Sequence, residues 1–283
     1  MSTSVLFDVP GPRTRRRHRL YSAVFAVFFI AVTALVLWKL WQEGNFEREL
    51  FEDLSQENVW RAIGQGVQAT LTAAVIAIVL SIVLGAILAV GRFSDHWYFR
   101  VPATAVIEFF RAIPLLLLIF FLFAFIGPRL GESGNLVALV AGLTLYNGSV
   151  LAEVFRAGLA AVPKGQSEAA YAIGMRKSQV MNSILAPQAV RFMLPAIISQ
   201  CVVVLKDTSL GFAVAYQELV REGKSIAEFV NNNLMTYLLI AVIYVAMNSL
   251  VAFFATWLEG RMARRGRGAA AQVQAAEEAL PMA

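Results

Sequence analysis

Residues 67–90 run for 24 positions without one charged side chain, and a run of that length decides the solvent. A transmembrane helix needs about 20 mostly apolar residues. Five more stretches qualify, so six spans are expected, at about 20–41, 67–90, 101–126, 136–155, 192–215 and 234–258. Charged residues make up 15% of the 283-residue chain, against about a quarter in soluble domains. No stretch alternates apolar with polar residues, so the chain reads as an all-α bundle in a lipid bilayer rather than a barrel. The single cysteine, Cys201, lies in an apolar run and offers neither a disulfide framework nor a cysteine metal site. His18 and His96 sit in basic or polar flanks and read as solvated. The chain shows no internal repeat, metal site, catalytic constellation or nucleic-acid-binding pattern.

Arg13, Arg15, Arg16, Arg17 and Arg19 precede the first stretch. They resemble the basic start of a signal peptide of the twin-arginine kind. The apolar run after them is about 22 residues long, no A-x-A site follows, and Trp38 and Trp41 mark an interface. The stretch is therefore read as a retained helix. With residues 1–19 placed inside, the inside segments hold 16 Lys and Arg and the outside segments 6. That bias predicts six spans, both termini cytoplasmic, and a cytoplasmic tail at 259–283.

The segment "SEAAYAIGMRKSQVMNSILAPQAV", residues 167–190, then falls in a cytoplasmic loop between the fourth and fifth spans. Pro163 suits a first helical turn, Ser167 an N-cap, and Gly174 a C′ stop, so a helix of about two turns is expected over 168–173. Ala169, Ala170 and Ala172 leave a smooth surface that another body can approach closely. Val180, Met181, Ile184 and Leu185 follow on one helical stripe, and Pro187 is expected to break that piece before span five. Spacing alone leaves two readings open: a knob gripped by another protein, or an interfacial helix that re-enters the membrane.

"EAAYAIG" (168–174), nine residues, then "ILAP" (184–187) resembles the EAA loop of ABC-importer permeases. "VPKGQSEAA" (162–170), "PQAVRFMLPAI" (187–197) and "LKDTSL" (205–210) resemble the polar amino-acid branch of that family. So do "QATLTAAVIAIVLSIVLGAILAVGR" (68–92), "EFFRAIPLLLLIFF" (108–121) and "AEVFRAG" (152–158). Ala112, Ala186 and Gly148-Ser149-Val150 depart from the branch pattern. The resemblance covers about 60–258 and implies a type I importer permease fold. That fold has a five-helix core, an added N-terminal helix at 20–41, and a coupling loop at 162–187. It implies that Glu168, Ala169, Ala170, Gly174 and Pro187 engage a dimeric ABC ATPase, which carries ATP and Mg. It further implies a second permease subunit, identical or not, an extracytoplasmic solute-binding protein, and residence in a prokaryotic cell membrane. The implied function is ATP-driven import of polar amino acids, nearest the glutamate type. A permease for another solute, such as an opine or a sulfur compound, and a non-transport scaffold are the alternatives. The chain is not read as an enzyme and needs no cofactor of its own. A P-loop needs G-x-x-x-x-G-K-[ST], and "ELVREGKS" has Glu218 at the first glycine.

Glu108 and Arg111 fall inside span three, and Lys206 and Asp207 inside span five. A central charge costs roughly 2.5–3.5 kcal/mol on insertion scales, so such residues face partners or a wet path. Glu108 and Arg111 are three apart and can pair on one helix face. Lys206 and Asp207 point about 100° apart, so each needs something else. Lys206, Asp207, Thr208 and Ser209 are candidates for lining the pathway, with interhelical bonding by Thr208 and Ser209 as the alternative. Glu153 and Arg156 are placed at the cytoplasmic mouth as gate or loop anchors. Ser81, Gly85 and Ala89 read as a packing seam.

Overall fold

The computed structural model describes residues 11–45, 52–131 and 133–278, and every regular element among them is helical. The chain divides into two units, residues 1–56 and 57–283. In the first, α1 (Pro12–Gln42) starts with proline in its first turn, where the missing N–H costs nothing. Its apolar side chains are exposed around the whole circumference, from Leu20 and Phe25 to Trp38 and Trp41. A helix apolar on every side suits lipid.

The second unit contains α2 (Glu57–Phe93), α3 (Trp97–Ala112), α4 (Leu115–Leu130) and α5 (Ser133–Ala160). These are followed by a short α6 (Lys164–Ala172), α7 (Ala186–Asp207), α8 (Leu219–Val230) and α9 (Asn233–Glu278). Five helical stretches across the two units are long and apolar enough to cross a membrane, and the α3–α4 pair makes a sixth if counted as one span. The six expected spans are reached when that bent pair is counted as one, and the third is then not one helix. α3 and α4 meet at 103° across Ile113 and Pro114. Pro114 has no N–H to donate and drives Ile113 into extended backbone, at φ −85° and ψ 132°.

The fifth span also differs from expectation. Pro187 does not break it, because Val180–Leu185 is wound as a π-turn that runs directly into α7. Pro187 sits in the first turn of α7, where its lack of an N–H is tolerated. The Gln188 side-chain amide donates to the Ile184 carbonyl at 3.0 Å, one turn back across this junction. At its far end α7 tightens into a 3₁₀ turn, Thr208–Val214, which stops at Ala215 in the left-handed region (φ 56°). α9 continues as helix beyond the expected span to Glu278.

The core lies where α2, α4, α5 and α7 meet. Ala73 and Ala77 of α2, Ile119 of α4, Leu139 and Leu143 of α5 and Val204 of α7 are all buried there. The seam expected from Ser81, Gly85 and Ala89 is the α2–α5 contact. A Cβ added at Gly85 would stand 2.9 Å from both the Gly148 carbonyl oxygen and Leu151 Cβ. Backbone oxygen cannot move aside as a flexible side chain can. Gly85→Val is therefore expected to destabilise the subunit by about 1–3 kcal/mol. Thermal unfolding of the purified subunit should show the midpoint lowered by several degrees, with Gly64→Val, in open space, as the milder comparison.

Candidate functional site

Three groups of residues stand out, two at one end of the bundle and one at the other. The first is the loop 162–187. Its helix α6 has nine residues, so it is about 13 Å long. Its N-cap is Pro163 rather than Ser167, and no side chain caps it. Ser167 lies inside the helix, where its hydroxyl donates to the Lys164 carbonyl at 2.8 Å. Proline supplied the extended backbone that a cap requires, so the helix began earlier than expected.

The other end follows expectation. Gly174 has φ +84°. Its N–H bonds the Tyr171 carbonyl (2.9 Å), and the Met175 N–H bonds the Ala170 carbonyl (3.1 Å). This pair of bonds is the Schellman stop, which requires a left-handed residue and strongly favours glycine. Ala170 is buried against the body of the loop, while Glu168 and Ala169 are exposed. Tyr171 and Ile173 are exposed as well, Ile173 at 79%. They were missed as site residues, although both lie in the quoted motif. The loop is tied back at two points. Lys177 pairs with Asp95 of the α2–α3 connection, and the Gln188 amide donates to the Gln166 amide oxygen at 3.3 Å. The Lys177 ammonium holds the Asp95 carboxyl below the usual carboxylate range, by hydrogen bonding first and by its charge second.

The second group is a cluster of charges at the same end of the bundle. Glu108 and Arg111 do not form the expected pair along α3. Glu108 reaches Arg92 of α2, at 4.0 Å from Nη2, and Arg111 reaches Glu153 of α5, at 3.5 Å from Nη1. Glu153, only 17% exposed, also takes Arg156 Nε at 2.7 Å and pairs with Arg92. Three arginines thus converge on one half-hidden carboxylate, and α2, α3 and α5 are joined by it. Arg92 was not singled out in the sequence; its partner stands 61 positions away.

The third group stands at the opposite end of α7. Lys206 and Ser209 line a cavity of about 490 Å³ with Val220, Tyr244, Val245, Asn248 and Ser249. Of the four neighbours proposed together, the fold brings only these two to the cavity. Asp207 is half-buried away from it. Thr208 is fully buried, with its hydroxyl donating to the Leu205 carbonyl at 2.6 Å. Midway along α5 and α7, the half-buried Gln200 amide donates to the Oδ1 of buried Asn147 at 2.6 Å, a polar link that the sequence did not advertise. The "ELVREGKS" segment is no phosphate loop: it starts the amphipathic helix α8, capped by Glu218.

A multi-span bundle that projects a glycine-stopped helix from a loop between two spans has the form of an importer permease. A model of the family "binding-protein-dependent transport system inner membrane component" matches residues 81–264. The glutamate transport system permease protein GluD of Corynebacterium glutamicum is 43% identical over 205 residues, 71% of this chain and 75% of that protein. The probable glutamine ABC transporter permease protein GlnP of Bacillus subtilis is 34% identical over 211 residues, 73% of this chain and 96% of that protein. Among solved structures, an amino acid ABC transporter crystallised with histidines superposes with a TM-score of 0.67 at 27% identity, covering 74% of this chain and 97% of that one. The chain belongs to the binding-protein-dependent transport system inner membrane component family. Its fold is that of a type I ABC importer permease, and it is a multi-pass membrane protein with a transport role.

The Gly174 stop yields a local test. Gly174→Val forces a branched side chain into the left-handed region, at roughly 1–2 kcal/mol. Hydrogen exchange at the Met175 amide should accelerate about tenfold relative to wild type. Gly165→Ala, at a helical position with open space around it, should leave that amide as protected as before.

Proposed function

We propose that the chain is the translocating subunit of an ATP-driven importer for polar amino acids of the glutamate and glutamine type. The observation that carries this reading is α6: a short helix, stopped by Gly174, that presents Glu168, Ala169, Tyr171 and Ile173 outward. It is fastened to the span core through Lys177–Asp95 and Gln188–Gln166. Identity of 43% to a glutamate permease supports the substrate class. In this reading α6 seats in a groove of a partner ABC ATPase, which binds ATP and Mg. A second permease subunit completes the pathway, and an extracytoplasmic binding protein delivers the solute. Both termini and α6 lie on the cytoplasmic side, in agreement with the distribution of Lys and Arg.

The residues divide the work along the bundle. Movement of α6 pulls on the α2–α3 connection through Asp95 and on the start of α7 through Gln188. The Arg92–Glu108–Arg111–Glu153–Arg156 cluster forms the cytoplasmic mouth, holding the ends of three helices in register while they move together. Lys206 and Ser209 meet the solute in the cavity at the other end, where the ammonium of Lys206 suits a carboxylate.

Lys206→Met keeps the length of the side chain and deletes its charge. The complex should assemble and hydrolyse ATP, and uptake of labelled L-glutamate per complex in membranes should fall about tenfold, as expected when one charged contact is lost. Subunit abundance is measured in the same membranes. Loss of abundance with unchanged uptake per surviving complex would make Lys206 structural.

A further inference from the structure

Glu218 is a fully buried carboxylate that neither the coupling loop nor the pathway residues use. It immediately precedes α8. Its oxygens accept hydrogen bonds from the backbone N–H groups of Val220 and Arg221, both at 2.9 Å, and from the Tyr244 hydroxyl of α9 at 2.8 Å. The buried hydroxyls of Thr70 on α2 and Thr208 in the 3₁₀ turn lie beside that tyrosine hydroxyl. Thr70 Oγ1 accepts the Leu219 N–H at 3.1 Å, and the Tyr216 hydroxyl donates to the Ala69 carbonyl at 3.0 Å. Elements from four parts of the chain meet in one buried polar knot.

Capping α8 does not require that knot. Serine, threonine or aspartate in solvent caps a helix as well. Burying a carboxylate whose donors are all neutral is expensive, and an apolar side chain of the same volume would pack with less penalty. The arrangement adds an attachment: it fastens α8 to α9. α8 lies between two non-glycine residues in the left-handed region, Ala215 (φ 56°) and Asn231 (φ 53°). Rotation at those two points swings α8 as a body, and side-chain bonds such as Glu218–Tyr244 oppose the swing. Tyr244 also lines the cavity that holds Lys206, so release of the knot alters the cavity wall.

We propose that Glu218 is a positioning residue whose hydrogen bond to Tyr244 clasps α8 against α9 at the end of the bundle opposite the coupling loop, and that this clasp parts when that end opens. The clasp rests on the transport reading above. Its test uses the assembled importer, with ATPase and binding protein, in proteoliposomes. Tyr244→Phe removes one hydroxyl and keeps the ring; Glu218→Gln keeps the size and removes the charge. With a weakened clasp the outer end opens without its normal trigger. ATP hydrolysis in the absence of binding protein should then rise about fivefold per complex, the factor one net hydrogen bond is worth, and further stimulation by binding protein should shrink. Both variants should move these rates in the same direction. Unchanged rates per complex in Tyr244→Phe, at any subunit abundance, would overturn the clasp and leave the knot as packing. A wild-type importer without ATP-dependent uptake would overturn the transport reading, and the clasp with it.

Discussion

Inside a bilayer every backbone N–H and C=O must find a partner within the protein, and the whole bundle is arranged around that demand. Unbroken helices satisfy it by themselves. At three departures from the α-helix a substitute bond stands beside the break. The π-turn before Pro187 is backed by the Gln188 amide on the Ile184 carbonyl. The 3₁₀ turn after α7 is backed by the Thr208 hydroxyl on the Leu205 carbonyl. The first N–H groups of α8 are taken by Glu218. In these three places a polar side chain is at hand; the bend at Ile113–Pro114 instead uses proline, which has no N–H to satisfy.

The charges follow the same logic. They are gathered at the two ends of the spans, with each end differently built. At the coupling-loop end, Glu153 is enclosed by Arg92, Arg111 and Arg156, so three helix ends are locked to one carboxylate. Removing Glu153 would leave Arg111 and Arg156 without their carboxylate, which is more damaging than the net value of either pair. At the opposite end Lys206 faces a cavity. A cation at a cavity wall is available to a solute in a way that Arg92, already committed, is not.

Much of this was legible in the sequence because the signals are local. Six apolar stretches, the basic flanks, and a glycine after a run of helix formers each state their meaning within about twenty residues. The left-handed Gly174 is an example: a helix stop with no Cβ is a one-residue signal. Pro114, one turn after Arg111, marks a place where the helix can kink, but an apolar run does not say that the bend reaches 103°. The partners of Glu108 and Arg111 were not legible. Spacing of three favoured a pair on α3, but the fold carries Arg92 and Glu153 to them from other helices. Ser167 was misread because serine and proline compete for the same role, and the winner is set by the path of the preceding chain. Glu218 looked only like a departure from a phosphate-loop pattern; its burial depends on Tyr244, 26 positions later.

The central claim is that α6 is the handle by which an ATPase moves the spans, and its exposed tip tests this most directly. Ile173→Glu places a charge where the side chain is already exposed, so the fold of the subunit is left intact. Co-purification of the ATPase and ATP-driven uptake of labelled L-glutamate are measured on membranes holding equal amounts of subunit. The account predicts wild-type insertion with both ATPase retention and uptake lost. Retention of the ATPase together with wild-type uptake would contradict it.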